Sequence, residues 1–340
     1  MKIKAVVVYA PGGPEALVYT DVPRPMVKDG WSLVRVRGFG INHSEIFTRQ
    51  GLSPTVTFPR ILGIECVGTV EETTDADRLP VGQRVVSLMG EMGRAFDGGY
   101  AEYALLPNEQ IYPVDSELPW EIFAAIPETY YTAFGSLKNL RVSDGNVVLV
   151  RGGASGVGIA FLRLLRAQFP QMRIVGTTRR AEMGEQLHVA GYSDVVTETN
   201  GTLDTEEQYD RILDLVGPSA IKDSMQHLRR GGVLCSTGQL GGKWFLEEFD
   251  PIVDLAEDAY LTSFYSGNVR EERLRELFAY VENYRVRVQP ERVFSLSETA
   301  EAHRWLEGKM DLAKRLFSYR KRIAFCCYGG FSCVHIVSML

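Results

Sequence analysis

The apolar run Asn146-Val147-Val148-Leu149-Val150 passes directly into Arg151-Gly152-Gly153-Ala154-Ser155-Gly156-Val157-Gly158, and a helical pattern follows over about 157–168. Few folds accept that order. A strand that is apolar at every position is buried on both faces, which requires helices on each side of a parallel sheet. The next hundred residues repeat the alternation, with strands expected at 173–177, 194–196, 209–216 and 232–236 and a helix around 181–189. The fold class is α/β, with a doubly wound parallel-sheet domain of Rossmann type assigned to 123–269.

The glycine turn carries the first chemical expectation. Glycines let backbone approach a pyrophosphate, and the opening helix offers N–H donors and the positive end of its dipole. Ser155, Gly156 and Val157 are therefore read as cofactor-binding. An NAD site places Asp or Glu after the second strand to accept from the ribose 2′-hydroxyl. This chain has Thr177-Thr178-Arg179-Arg180 there. A carboxylate repels a 2′-phosphate, whereas a hydroxyl and a guanidinium welcome one. Thr178 and Arg179 therefore point to NADP(H) rather than NAD(H). The bland alternative, arginines decorating a helix start, runs against the dipole.

The first hundred residues have another rhythm. The segment 31–37 alternates apolar and polar residues, and 63–70, 82–86 and 98–104 are further β-type runs, as in a β-barrel or sandwich. With 340 residues there is room for this β-rich domain beside the other. A formal net charge of -6 with no long basic block argues against nucleic acid as a partner. Five cysteines in such a length make no disulfide scaffold, and the N-terminal apolar run is too short for a signal-peptide core. A cytoplasmic protein is expected.

With these segments in view, the chain resembles the medium-chain dehydrogenase/reductase superfamily, and within it the zinc-free quinone oxidoreductase and enoyl reductase branch. The resemblance covers about residues 1–316. It rests on Gly40-Ile41-Asn42-His43-Ser44-Glu45, Gly63-Ile64-Glu65, Gly98-Gly99-Tyr100-Ala101-Glu102-Tyr103, Thr132-Ala133 and the glycine turn. It implies a GroES-like β-rich catalytic domain built from 1–122 and 270–316. It implies that Asn42 and Thr132 lie beside the nicotinamide, both touching cofactor and taking part in catalysis. Tyr130 or Tyr131 would donate a proton or line a pocket for a planar substrate. Tyr192 would contact the adenosine phosphate, Val216 and Thr237 would flank the dinucleotide, and Phe264 would fall near the nicotinamide. The residues alone leave a plainer reading open: Asn42 bracing its loop, and the two tyrosines as packing.

Zinc relatives carry ligands where this chain has Asn42, Ile64 and Glu128, so no metal is expected. Without a Lewis acid, alkoxide stabilisation is lost, while hydride delivery to a conjugated carbonyl compound remains possible. The resulting expectation is an NADPH-dependent oxidoreductase that reduces a small-molecule enone, quinone or enoyl substrate. Relatives often have a Tyr where this chain has Phe47, so the proton donor stays unassigned. Two rivals stand beside this reading: a pathway-specific, trans-acting enoyl reductase of polyketide-type biosynthesis, and a non-catalytic NADPH-binding protein. A homodimer is implied, paired through the Rossmann sheet edge at 232–242 and 260–266.

The stretch 317–340 matches no familiar ending. Three readings compete: a mistranslated or alternatively spliced end, an extra strand pair on the barrel, or a membrane anchor of eighteen mostly apolar residues after Arg320-Lys321-Arg322. Glycines and His335 weaken the anchor, so a membrane partner is disfavoured. Cys326, Cys327 and Cys333 read as apolar fillers.

Overall fold

The computed structural model describes residues 1–311 and 335–338, and the chain divides into two units, Met1–Pro127 with the stretch from Gln289 on, and Glu128–Val288. In the first unit the short strands are β1 (Lys2–Val8), β2 (Leu17–Pro23), β3 (Trp31–Gly40), β4 (Arg60–Ile61), β5 (Glu65–Glu72), β6 (Arg84–Leu88), β7 (Tyr103–Pro107) and β8 (Tyr112–Pro113). Two helices, α1 (His43–Arg49) and α2 (Trp120–Phe123), interrupt them. Strand β3 is the spine of the larger sheet, pairing antiparallel with both β5 and β7. That central place explains why β3 is more buried than its alternating sequence suggests: Leu33, Val34, Val36 and Phe39 are all enclosed. A smaller sheet runs in the order β2-β1-β4.

The second unit starts with α3 (Pro127–Leu140) and continues through β9 (Val147–Arg151), α4 (Gly156–Gln168), β10 (Arg173–Thr178), α5 (Gly184–Ala190), β11 (Asp194–Thr199) and β12 (Thr202–Leu203). After them come β13 (Tyr209–Asp214), α6 (Ile221–Gln226), β14 (Leu228–Ser236), α7 (Pro251–Asp254), β15 (Tyr260–Ser263) and α8 (Glu271–Asn283). The sheet order is β12-β11-β10-β9-β13-β14-β15, parallel except for the β11–β12 hairpin. Counting the parallel strands in chain order gives 3-2-1-4-5-6, the doubly wound Rossmann arrangement expected from the sequence. Buried Leu149, Val175, Ile212 and Leu234, one from each of four strands, form the centre of its core.

The return to the first unit comes later than the sequence reading placed it, near 288 rather than 269. Helix α8 is the reason. Its buried stripe of Leu274, Leu277, Phe278 and Val281 is amphipathic at helical spacing. Tyr280 on the same helix donates to the Leu164 carbonyl (3.0 Å) and Gln168 Oε1 (2.8 Å) of α4, and its ring meets Phe134 of α3. The helix therefore belongs to the Rossmann unit.

The first unit is completed by β16 (Arg292–Ser295), α9 (Thr299–Asp311) and β17 (His335–Ser338). Strand β17 lies between β16, to which it is antiparallel, and β3, to which it is parallel. One strand of the unfamiliar ending thus pairs within the larger sheet. The rest of it, including the basic triplet and the three cysteines, lies outside the described residues. Among the described residues no helix is long and apolar enough to cross a membrane.

Candidate functional site

Strand register brings the cofactor candidates of the Rossmann unit to one edge. Arg151 at the end of β9 pairs with Asp214 of β13, Asp214 with Ser236 of β14, and Ser236 with Ser263 of β15. The glycine turn, Val216, Thr237 and Phe264 all follow these strand ends. The edge includes the point where the strand order reverses, between β9 and β13, where an open α/β sheet offers a crevice.

The turn itself is tightly specified. Gly152 has φ +84°, a conformation that disfavours a side chain. A Cβ on Gly158 would stand 2.7 Å from the Gly152 carbonyl oxygen. Ser155 caps α4: its hydroxyl accepts from Gly158 N (3.1 Å) and donates to the Gly152 carbonyl (2.8 Å). The amides of Gly156 and Val157 open the helix without an acceptor among the described residues. These are the donors that suit an anionic ligand. Tyr192 stands behind the turn, 3% exposed, with its hydroxyl on the Gly153 (3.0 Å) and Gly158 (3.2 Å) carbonyls. Its hydroxyl supports the turn from within the core.

Thr177 and Thr178 end β10 beside the turn, and Thr177 Oγ1 accepts from Gly152 N at 3.0 Å. Thr178 Oγ1 accepts from Arg180 N and donates to Arg180 O, which shapes the arginine pair. Arg179 is exposed and makes no ion pair with another described residue.

A second cluster sits along α3. Thr132 and Ser136, four residues apart, share one helix face. Ser136 Oγ lies 2.9 Å from Thr237 Oγ1, so α3 is tied to the end of β14. Glu128, a turn earlier, is half-buried, and its Oε1 accepts from Thr132 Oγ1 (3.0 Å) and Ser266 Oγ (3.3 Å). Burial pushes the Glu128 carboxyl up, and the two hydroxyl hydrogen bonds offset that only in part. Phe264 lies across Gly135 of α3, where any Cβ would overlap its ring. Tyr130 and Tyr131 are both fully buried. Tyr131 donates to the Asn268 carbonyl (3.2 Å) and accepts from Arg270 N (2.9 Å), holding the loop before α8.

In the β-rich unit, Asn42 precedes α1 as its N-cap. Its Nδ2 donates to Glu65 Oε1 at 2.8 Å, which fixes the amide with nitrogen toward the carboxylate. Its backbone N–H donates to Glu45 Oε2 (3.0 Å), whose other oxygen accepts from Ile64 N (3.1 Å). Glu45 is fully enclosed, and that desolvation raises its carboxyl to about 7. Below them His303 of α9 is buried between Arg49 and Tyr100. Arg49 Nη1 is 3.1 Å from its Nδ1, and its Nε2 is 3.0 Å from the Tyr100 hydroxyl.

Sequence reasoning assigned no role to Arg151, Asp214, Glu128 or Glu65. Arg151 is wholly buried, with Nε on Glu198 Oε2 (2.9 Å) and Nη1 on Asp223 Oδ2 (2.7 Å) and Ser224 Oγ (2.8 Å). Ser224 Oγ donates to Asp214 Oδ2 (2.7 Å), and Asp214 Oδ1 accepts from Val216 N and Gly217 N. The turn after β13 is thereby braced against the turn after β9. A charged residue ending an apolar strand was the available signal.

For a metal, the donor set is wrong. Asn42 spends its amide nitrogen on Glu65, Ile64 has no donor side chain, and Glu128 is held by hydroxyls. Among the described residues no three His, Cys, Asp or Glu side chains gather as a metal site would need. For a nicotinamide dinucleotide the turn, the open amides and the exposed Arg179 fit.

Comparison with known proteins agrees with this architecture. Residues 28–116 match the alcohol dehydrogenase GroES-like domain, and residues 188–314 match the family described as zinc-binding dehydrogenase. The quinone oxidoreductase of Pongo abelii is 28% identical over 250 residues, covering 70% of this chain and 74% of that protein. The structure of Bacillus subtilis protein yhfP with NAD bound aligns at a TM-score of 0.79 and 22% identity, over 91% of this chain and 97% of that one. Mycobacterial Rv1454c complexed with NADPH gives a TM-score of 0.73 at 24% identity, over 99% and 100% of the two chains.

Proposed function

Because the chain belongs to the medium-chain dehydrogenase/reductase superfamily, in its quinone oxidoreductase branch, we propose that it is an NADPH-dependent, zinc-independent reductase of quinones or activated C=C bonds. When bound, the reduced nicotinamide supplies the hydride. The chain's own residues do the rest. The amides of Gly156 and Val157 hold the pyrophosphate, and Arg179 with Thr178 receives the 2′-phosphate. Val216, Thr237 and Phe264 flank the dinucleotide along the strand ends, while Tyr192 keeps the glycine turn in shape.

Catalysis then needs a donor at the carbonyl oxygen, where charge gathers as the hydride arrives. Asn42, its amide orientation fixed by Glu65, and Thr132 are the residues assigned to that work. Tyr130 is a further candidate, fully buried in α3. The observation that carries the cofactor assignment is Arg179, exposed and without an ion-pair partner among the described residues at the edge bearing the glycine turn.

The test is NADPH and NADH consumption with a quinone, a simple enone and an enoyl thioester. Arg179→Ala is expected to lower kcat/KM for NADPH by 10-fold or more, on the order of one charge-assisted hydrogen bond, and to leave NADH unchanged. Equal loss with both cofactors would refute the assignment. A preference for the thioester would favour the enoyl reductase of polyketide-type biosynthesis. Tight NADPH binding with no acceptor reduced would favour the non-catalytic alternative.

We also assign a homodimer to this protein. Strand β15 is the outer strand of its sheet, with Tyr260 62% exposed, and Trp244, Phe245, Ile252 and Val253 stand exposed in the segment before it. An unpaired edge next to exposed apolar side chains suits pairing with a second copy.

A further inference from the structure

The proton that must accompany the hydride has no donor in the reading so far, and Phe47 lacks the hydroxyl that relatives place there. We propose that Glu128 is the proton source of this site, acting through the Thr132 hydroxyl as a positioned relay. The inference rests on the reductase reading above and deepens it.

Three observations carry it. Thr132 Oγ1 donates to Glu128 Oε1 at 3.0 Å on successive turns of α3; when that oxygen carries the carboxyl proton, the same contact runs from Glu128 to Thr132 and frees the Thr132 hydrogen without side-chain motion. Ser266, from the loop after β15, donates to the same oxygen at 3.3 Å. Two hydroxyls face Glu128, Thr132 on its own helix and Ser266 on the loop. Finally, Ser136 and Phe264 anchor this face of α3 to the ends of β14 and β15, so the relay is held at the strand-end edge of the unit. The raised affinity of this half-buried carboxyl for its proton accords with this geometry.

The step balances. A bound reduced nicotinamide would supply two electrons and a hydrogen to the β-carbon of the enone, or to the quinone. The substrate's C=C or ring π pair would then move to its carbonyl oxygen, leaving an enolate or hydroquinone anion. Thr132 breaks its O–H bond to protonate that oxygen and takes the Glu128 carboxyl proton in the same motion. The enol so formed returns to the ketone in water. Glu128 is left as a carboxylate and is reprotonated by water before the next turnover.

Glu128→Gln is the decisive variant, since it keeps an acceptor for Thr132 and Ser266 but has no proton to give. In cofactor-free protein, an infrared pH titration should show a carboxyl that stays protonated above the ordinary glutamate range and is missing in Glu128→Gln. In turnover, Glu128→Gln should lower kcat by about 100-fold with KM for the acceptor and NADPH binding within twofold, the scale of a lost general acid. Thr132→Val should match it, and Thr132→Ser should restore most of the rate. A Glu128→Gln variant with kcat near wild type, no protonated-carboxyl band, or a loss matched by weakened NADPH binding would each overturn the relay. If the wild type binds NADPH and reduces no acceptor, the reductase reading fails and takes the relay with it. If the wild type reduces an acceptor and Glu128→Gln does so at a kcat near wild type, the relay alone is overturned.

Discussion

Acid should weaken the β-rich unit through one residue, His303. Its imidazole is fully buried, and burial, reinforced by the Arg49 guanidinium, lowers its pKa from 6.5 to about 3. Arg49 can only donate to Nδ1, so the ring is neutral, with its Nε2 proton on Tyr100. A base whose folded pKa lies below its unfolded value stabilises the fold fully above pH 6.5, and this contribution is lost as pH falls toward 3. At pH 5 the loss is about 2 kcal/mol, taking 1.36 kcal/mol per pKa unit.

Glu45 works in the opposite direction. Its carboxyl is raised from 4.5 to about 7, so its protonation favours the fold as pH drops from 7 to 4.5. The wild type alone therefore has a muted pH dependence. The His303→Gln variant separates the two, because glutamine can serve Arg49 and Tyr100 but does not titrate. Urea unfolding followed by tryptophan fluorescence in a Trp244→Phe background reads the β-rich unit, which holds Trp31, Trp120 and Trp305. At pH 8 the variant should be less stable by about 1 kcal/mol, the cost of replacing a packed, hydrogen-bonded ring. At pH 5 the order should reverse, the gap having moved by about 2 kcal/mol. A gap of the same size at both pH values would refute the buried neutral imidazole.

Two other expectations follow from the Rossmann unit. Arg151→Met should strip Glu198 and Asp223 of their buried counter-charge, lowering stability by about 3–5 kcal/mol and weakening NADPH binding, as thermal unfolding with and without cofactor would report. Leu261→Lys on the edge strand β15 should shift the protein to monomer in light scattering, and an unchanged mass would reject the dimer.

The Rossmann unit was legible because its signals are local. The apolar strand, the glycines and the helix stand within about twenty residues, and sheet order follows from their repetition. The braces of the site were not legible, because their partners are remote. Arg151 finds Glu198 and Asp223 at separations of 47 and 72 residues, and Arg49 finds His303 across 254. No periodicity encodes such pairs. Glu128 could be placed from the sequence as a failed metal ligand, yet its bond to Thr132 needed the turn of α3 to become visible. Helix α8 was misplaced for a related reason: its apolar stripe says that it packs, not on what.

The order in which the chain is made gives the division into units a temporal meaning. The Rossmann unit, Glu128–Val288, is continuous and can fold as soon as it leaves the ribosome, whereas the β-rich unit waits for residues beyond 288. At about 5–20 residues per second, the delay while 128–288 is synthesised is roughly 8–30 s. Throughout it, Arg49 and Tyr100 have no His303 between them, and the Gly38–Gly40 edge of β3 is without β17. A nascent chain therefore carries an unpaired strand edge, open to edge-to-edge association, in its oldest part while its younger part is already complete in sequence.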